Sequence, residues 1–262
     1  MDRRGERGEN ELPEEILCSP AELDVVGEAM DLEVRRFPFT IGYHGSTRTE
    51  RARLVETVHR DLAARGLVEG SRFTPEFTEV LRLFARAPLT IALAGSDSGD
   101  HLTALAALEG RSALLAIQTG ENISFRRCST QAALRGLVAL PPTLPAGTGE
   151  PVTVTESPKP DEIEDFSQFR VTRRMQFTPT AESLVAEVLG RPRTGAGYFV
   201  ASARDRHGRE KPVGSLTYLD TDMGRYAAVP GTGPRGEASA TYRPWDQRYI
   251  EAHLSEILDT YG

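Results

Sequence analysis

Cysteine is scarce in this 262-residue chain, and its two cysteines, Cys18 and Cys128, lie far apart. They form no C-x-x-C and no other metal-ligand spacing, so zinc ribbons and dithiol redox motifs are excluded. Two free buried thiols in a reducing compartment are expected in preference to a disulfide. Long apolar runs are lacking too. No stretch approaches the roughly 18 apolar residues of a membrane helix. The charge-dense start, Met1 to Glu15, has no apolar centre of a signal peptide. The expectation is a soluble, cytoplasmic protein. Lysine occurs only at Lys159 and Lys211, so the cations are nearly all arginines. They are scattered rather than striped along one face, and the net charge is −7, which argues against nucleic acid as the main partner.

Catalytic templates are equally sparse. His44, His59, His101, His207 and His253 never fall into HxxxH, HxH or a Cys-His cluster, which points to surface or capping roles. No serine sits in a G-x-S-x-G elbow. Gly231 to Gly236 spells G-x-G-x-x-G, but Pro234 lies inside it and a strand-like run, Glu237 to Tyr242, follows. A dinucleotide site needs a helix there, so this is a hairpin loop. Asp220-Thr221-Asp222 has the spacing of a divalent-cation pair. The same run suits a tight turn between strands. A metal-dependent enzyme with a carboxylate site at Asp220 and Asp222 stands as the alternative class to a binding protein. Glu156, Asp161, Glu162, Glu164 and Asp165 read as a solvated face and helix N-terminus rather than paired catalytic carboxylates.

What is present is organisation. Residues 1–13 read as a disordered polar tail. Ile16-Leu17-Cys18 is a short strand, and Ser19 to Glu22 is a capping box with proline at the first helical position. The helix it opens runs through Val25, Val26 and Met30. Phe37 to Ile41 is an extended linker. Thr47 to Glu50 is a second capping box, and its helix carries Leu54, Val55, Val58 and Leu62 before Gly66. Thr74-Pro75 opens a third helix with Phe77, Val80, Leu81 and Phe84 on one stripe. The period then changes. Leu89–Leu93, Leu102–Leu108, Ala113–Ile117 and Ile123–Phe125, separated by Gly- and Asp-rich turns, predict a four-stranded antiparallel meander. A helix over Gln131–Leu140 closes it.

A Pro/Gly-rich linker spans residues 141–160. After it the same order recurs: an acidic helix about Asp161–Phe169, a second helix through Leu184, Val185, Val188 and Leu189, then strand-like runs. These are Tyr198–Ala203, Val213–Leu219, Arg225–Val229 and Ala238–Tyr242. An amphipathic helix with Tyr249, Ile250, Leu254, Ile257 and Leu258 follows. Element order therefore predicts an internal duplication, with halves of about 14–140 and 161–262. The most economical arrangement pairs the two meanders edge to edge in one twisted antiparallel sheet flanked by helices, an α+β fold.

Several motifs in order carry a family resemblance. Ala21-Glu22-Leu23-Asp24-Val25 is followed by His44-Gly45-Ser46-Thr47 with Glu50-Arg51, and by Leu62-Ala63-Ala64-Arg65-Gly66-Leu67. Further on come Gly195-Ala196-Gly197-Tyr198-Phe199-Val200, Arg204 to Gly208, Leu216 to Thr221, and Gly224-Arg225-Tyr226. Together they resemble the EspG family of actinobacterial ESX secretion-associated proteins, over roughly residues 14–260. The resemblance implies a central antiparallel sheet, two helical bundles and quasi-twofold symmetry. It implies a type VII secretion chaperone that binds PE–PPE-like or other helical-hairpin substrates, keeps them soluble and delivers them to the ESX machinery. No catalytic residue, cofactor or metal is implied. Partner contact is expected at the loop Ser96, Asp97, Ser98, Gly99 and Asp100, and at the C-terminal helix with Tyr249 and His253.

Overall fold

The structure, a computed structural model, describes residues 15–156, 175–176, 188, 190–234 and 236–261. The expected tail over 1–13, the helix about Asp161–Phe169 and the stretch through Leu184, Val185 and Leu189 lie outside the described residues.

Helix starts follow the capping chemistry. Strand β1 (Ile16–Cys18) leads into α1 (Pro20–Met30). There the Glu22 N–H donates to Ser19 Oγ at 3.2 Å, and the Ser19 N–H donates to Glu22 Oε2 at 2.7 Å. Thr47 and Glu50 repeat the device for α2 (Arg48–Ala64). A short hairpin, β2 (Val68–Glu69) and β3 (Arg72–Phe73), comes next; it has only two residues per strand, too few for any period to show. Thr74 then caps α3 (Pro75–Arg86).

The first meander is β4 (Leu89–Asp97), β5 (Asp100–Glu109), β6 (Ser112–Thr119) and β7 (Asn122–Ser129), closed by α4 (Thr130–Val138). Strands β8 (Val152–Glu156) and β9 (Met175–Gln176) follow. The second meander is β10 (Arg193–Arg204), β11 (Glu210–Thr221), β12 (Gly224–Thr232) and β13 (Ala238–Pro244), and α5 (Gln247–Tyr261) comes last.

All these strands except β2 and β3 join one sheet in the order β1-β7-β6-β5-β4-β10-β11-β12-β13-β8-β9, with every pairing antiparallel. The two meanders meet edge to edge. β4 and β10 stay in register from Asp97↔Gly195 to Leu89↔Ala203, and the order runs outward from that junction in the same sense on both sides.

Two cores lie on opposite faces. On one, Ala92, Leu105, Leu114 and Phe125 of the first meander pack against Leu23, Leu62, Phe77 and Phe84 of α1–α3. On the other, Ile91, Leu93, Ala106 and Leu115, with Phe199, Leu216 and Tyr218 of the second meander, pack against Leu134 and Leu137 of α4 and Ile250 and Leu254 of α5. Strand alternation explains the division, since neighbours in sequence point to opposite faces.

Four expectations change. Ser96 to Asp100 is not a loop: β4 reaches Asp97, β5 starts at Asp100, and the turn is Ser98-Gly99 with φ of 49° and 100°. Pairing to β10 on the far side holds this polar stretch extended. The Pro/Gly-rich 141–160 segment is not all linker, because β8 pairs with β13. Phe39 and Ile41, placed in an extended linker, are core residues. Of the two free cysteines Cys18 is buried, but Cys128 is only half-buried.

Candidate partner-binding surfaces

The predicted contact residues of the first meander sit at its central hairpin tip. Ser98, Gly99 and Asp100 are exposed, and Ser96 and Asp97 are half-buried. The tip is tied to the second meander: the Ser98 N–H donates to the Thr194 carbonyl at 2.8 Å. Its base rests on a glycine seam. A Cβ on Gly95 would lie 2.7 Å from the Ala196 carbonyl and 2.7 Å from the Tyr218 hydroxyl, and one on Gly197 would lie 2.7 Å from the same ring. The Tyr218 phenol covers the seam; burial, reinforced by Asp220, holds its pKa above the ordinary value.

On the opposite face of the same strands, Ala94 and Ser96 of β4 stand beside Tyr198 and Ala196 of β10. Tyr198 is 40% exposed and stacks at 6.0 Å on Phe37, itself 53% exposed. This aromatic pair lies about 10 Å from the hairpin tip along β4. Sequence reasoning passed over both residues. The signal was the alternation Tyr198-Phe199: the buried Phe199 puts Tyr198 on the other face. Phe37 could not have been found, because a ring contact across the fold leaves no local pattern.

Tyr249 and His253 occupy one stripe of α5. Their rings lie 6.4 Å and 5.4 Å from that of Trp245, which also carries the Arg243 guanidinium at 5.4 Å. Burial pushes the His253 imidazole below its ordinary pKa; Glu256 opposes the shift and Arg243 adds to it. Helix α5 packs mainly on α4, β10 and β11. The structure therefore does not bring Tyr249 and His253 together with the β4–β5 tip.

The Asp220/Asp222 pair is split by burial. Asp220 is 1% exposed and accepts from Arg225 Nε at 2.6 Å and from Nη2 at 2.7 Å. Asp222 lies in the exposed β11–β12 turn, 3.8 Å from Arg191. Arg225 also donates to the Pro142 carbonyl at 2.8 Å, and its backbone bonds to Pro145 and Gly147. Both Asp220 oxygens thus serve a guanidinium that ties the 142–147 segment to β12. A cation at this position would have to displace that guanidinium. No group of three His, Cys, Asp or Glu suited to a metal occurs among the described residues.

Comparison with known proteins gives one family and one fold. The model of the EspG family matches residues 19–256. Among solved structures, the chain is similar to the Mycobacterium tuberculosis type VII secretion system chaperone EspG5, whose structure is in complex with a PE25–PPE41 dimer. The identity is 13%, the TM-score is 0.63, and the alignment covers 95% of this chain and 97% of the other. No curated protein matches.

Proposed function

We propose, from the premise that the chain belongs to the EspG family, that it is a cytoplasmic chaperone of a type VII secretion system. It binds PE–PPE-like substrates at their apolar helical tip, keeps them soluble and delivers them to the secretion machinery. The observation that carries this reading is the family match across nearly the whole chain, on a fold shared with EspG5. Binding, not catalysis, is its task. Covering an apolar helical tip requires area and shape, and an interface of roughly 1,200–2,000 Å² would serve.

The sheet supplies a surface of that kind. Phe37 and Tyr198 offer stacked aromatic area in the middle of the sheet, and Ser96 to Asp100 border it with polar groups. Aromatic anchors within a polar rim are where binding energy concentrates. Tyr249 and His253 on α5 form a second contact, engaging the substrate or a component of the machinery. The two meanders, mirrored in order about the β4–β10 junction, derive from an internal duplication, with a helical bundle belonging to each half.

The test is co-expression with a PE–PPE-like pair from the same host, followed by affinity capture and gel filtration. A stoichiometric complex is expected, and joint replacement of Phe37→Ser and Tyr198→Ser should weaken it by about tenfold or more. If no helical-hairpin substrate of the host is retained, the chaperone function is lost and only the fold remains. If the pair is retained equally by the double variant, the contact surface lies elsewhere.

A further inference from the structure

Phe37 lies on the segment that joins α1 to α2, where there is no helix or strand between Met30 and Arg48. Its stacking partner Tyr198 stands on β10. An aromatic carried by an irregular segment anchors a partner well only if that segment is already fixed, because ordering it on binding costs affinity.

Both flanks of Phe37 are fixed. Phe39 is a core residue and packs on Phe84 of α3 at 5.8 Å between ring centres. Its N–H donates to the Arg36 carbonyl at 2.9 Å, closing a turn with Phe37 and Pro38 at the corner. Arg36 is only 6% exposed. Its Nη1 donates to the Ala85 carbonyl at the end of α3 at 2.7 Å, and its Nη2 donates to Glu210 Oε1 at 2.8 Å. Glu210, the first residue of β11, is held in turn. It accepts from Thr90 Oγ1 of β4 at 3.0 Å, and Arg204 lies 3.8 Å away.

The two neighbours Arg36 and Phe37 reach in opposite senses. Glu210 pairs with Arg204 at the end of β10, and Tyr198 lies about 20 Å back along that strand. Arg36 therefore braces the turn at the strand's end while Phe37 meets its middle. An apolar residue of similar volume would keep the turn in the core about as well as this ion pair does. It would not fix the direction in which the turn points, since apolar contact is non-directional and a guanidinium serving two acceptors is not.

We propose that Arg36, through Glu210, is the positioning residue of the substrate surface. The pair fixes the 36–39 turn so that Phe37 is stacked on Tyr198 before substrate arrives. Each half of the chain then supplies one aromatic and one ion: Phe37 and Arg36 from the first, Tyr198 and Glu210 from the second. The assignment rests on the reading of Phe37 and Tyr198 as the contact surface.

The test has two arms, both on the full chain. The first needs no substrate: para-fluorophenylalanine in place of Phe37 is read by fluorine NMR, with Tyr198→Ser giving the shift of a ring without its stacking partner. Arg36→Met and Glu210→Gln should each move the signal toward that reference. In the second arm, affinity for the PE–PPE-like pair is measured as a double-mutant cycle. Arg36→Met should weaken binding by about fivefold in the otherwise wild-type chain, and by less than about twofold when Phe37→Ser has removed the ring to be positioned. Thermal melts report whether each variant folds, and Glu210→Gln carries both arms if Arg36→Met does not. A fluorine shift unchanged in folded variants, or an equal loss of affinity with and without the Phe37 ring, would overturn the proposal. So would a Phe37→Ser variant of undiminished affinity. A wild-type chain that binds no such pair would sink the chaperone reading instead, and the fluorine shift would then decide the bracing alone.

Discussion

Two buried carboxylates, Asp24 and Asp220, are each paired with arginine. Asp24 on α1 is 2% exposed. Burial pushes its carboxyl up, but the His44 N–H at 2.9 Å and the guanidiniums of Arg51 and Arg35 outweigh that effect. Its pKa lies below the ordinary carboxylate value. A depressed folded pKa gives stability that is full above the unfolded value near 3.9 and is lost as pH falls through the folded value. Urea unfolding should therefore show Asp24→Asn less stable than the wild type at neutral pH, with the gap closing as pH drops below about 4. Asp220 is the stricter case, since its partner Arg225 is wholly buried. Replacing Arg225 by Ala strands the carboxylate, and a loss of about 3–5 kcal/mol is expected in urea unfolding. The double variant Arg225→Met with Asp220→Leu should recover most of it. The sequence read Asp220-Thr221-Asp222 as a turn between strands; the turn is there, but it is Asp222-Met223, and Asp220 and Thr221 are the last paired residues of β11. That Asp220 points inward to Arg225 depends on which face of β11 is covered, and local spacing does not carry that information.

Among the elements, helices were the most legible, because capping boxes and 3.6-residue stripes are local. Ser19/Glu22 and Thr47/Glu50 mark two starts to the residue. The strands were legible as a meander, but their ends were not. The stretch Gly95 to Asp100 has turn composition, yet β10 pairs with it and extends β4 to Asp97. Gly95 is required there by close approach and not by an unusual φ. Gly95→Val would drive a side chain into the Ala196 carbonyl and the Tyr218 ring. Overpacking of this kind costs about 1–3 kcal/mol. Urea unfolding measures the loss, and substrate capture should fall with it, since the seam supports the hairpin tip. A Gly95→Val variant of wild-type stability would show that the β4–β10 junction is loose.

For the whole molecule, the junction decides more than any single contact. β4 is buried on both faces over Leu89 to Leu93 and is flanked by β5 and β10. A fragment of residues 15–140 would present β4 as a bare apolar edge, which is a template for pairing with other chains. Gel filtration with light scattering is expected to find that fragment oligomeric or insoluble while the full chain is not. A stable monomeric fragment would mean that the first half closes its own edge.

By itself the sequence determined what local chemistry controls: the caps, the periods, the turn residues, and the order of elements that names the α+β class. Motifs kept in order along the chain also carried the family. The tertiary structure decided everything that joins residues far apart. It set β4 against β10, drew β8 out of a supposed linker onto β13, and sank Phe39 and Ile41 into the core. It stacked Phe37 on Tyr198 and gathered Arg35, His44 and Arg204 around one cleft. The physical reason is common to all five: backbone pairing and side-chain burial are settled by the partner across the fold, and that partner leaves no period in the sequence that it covers.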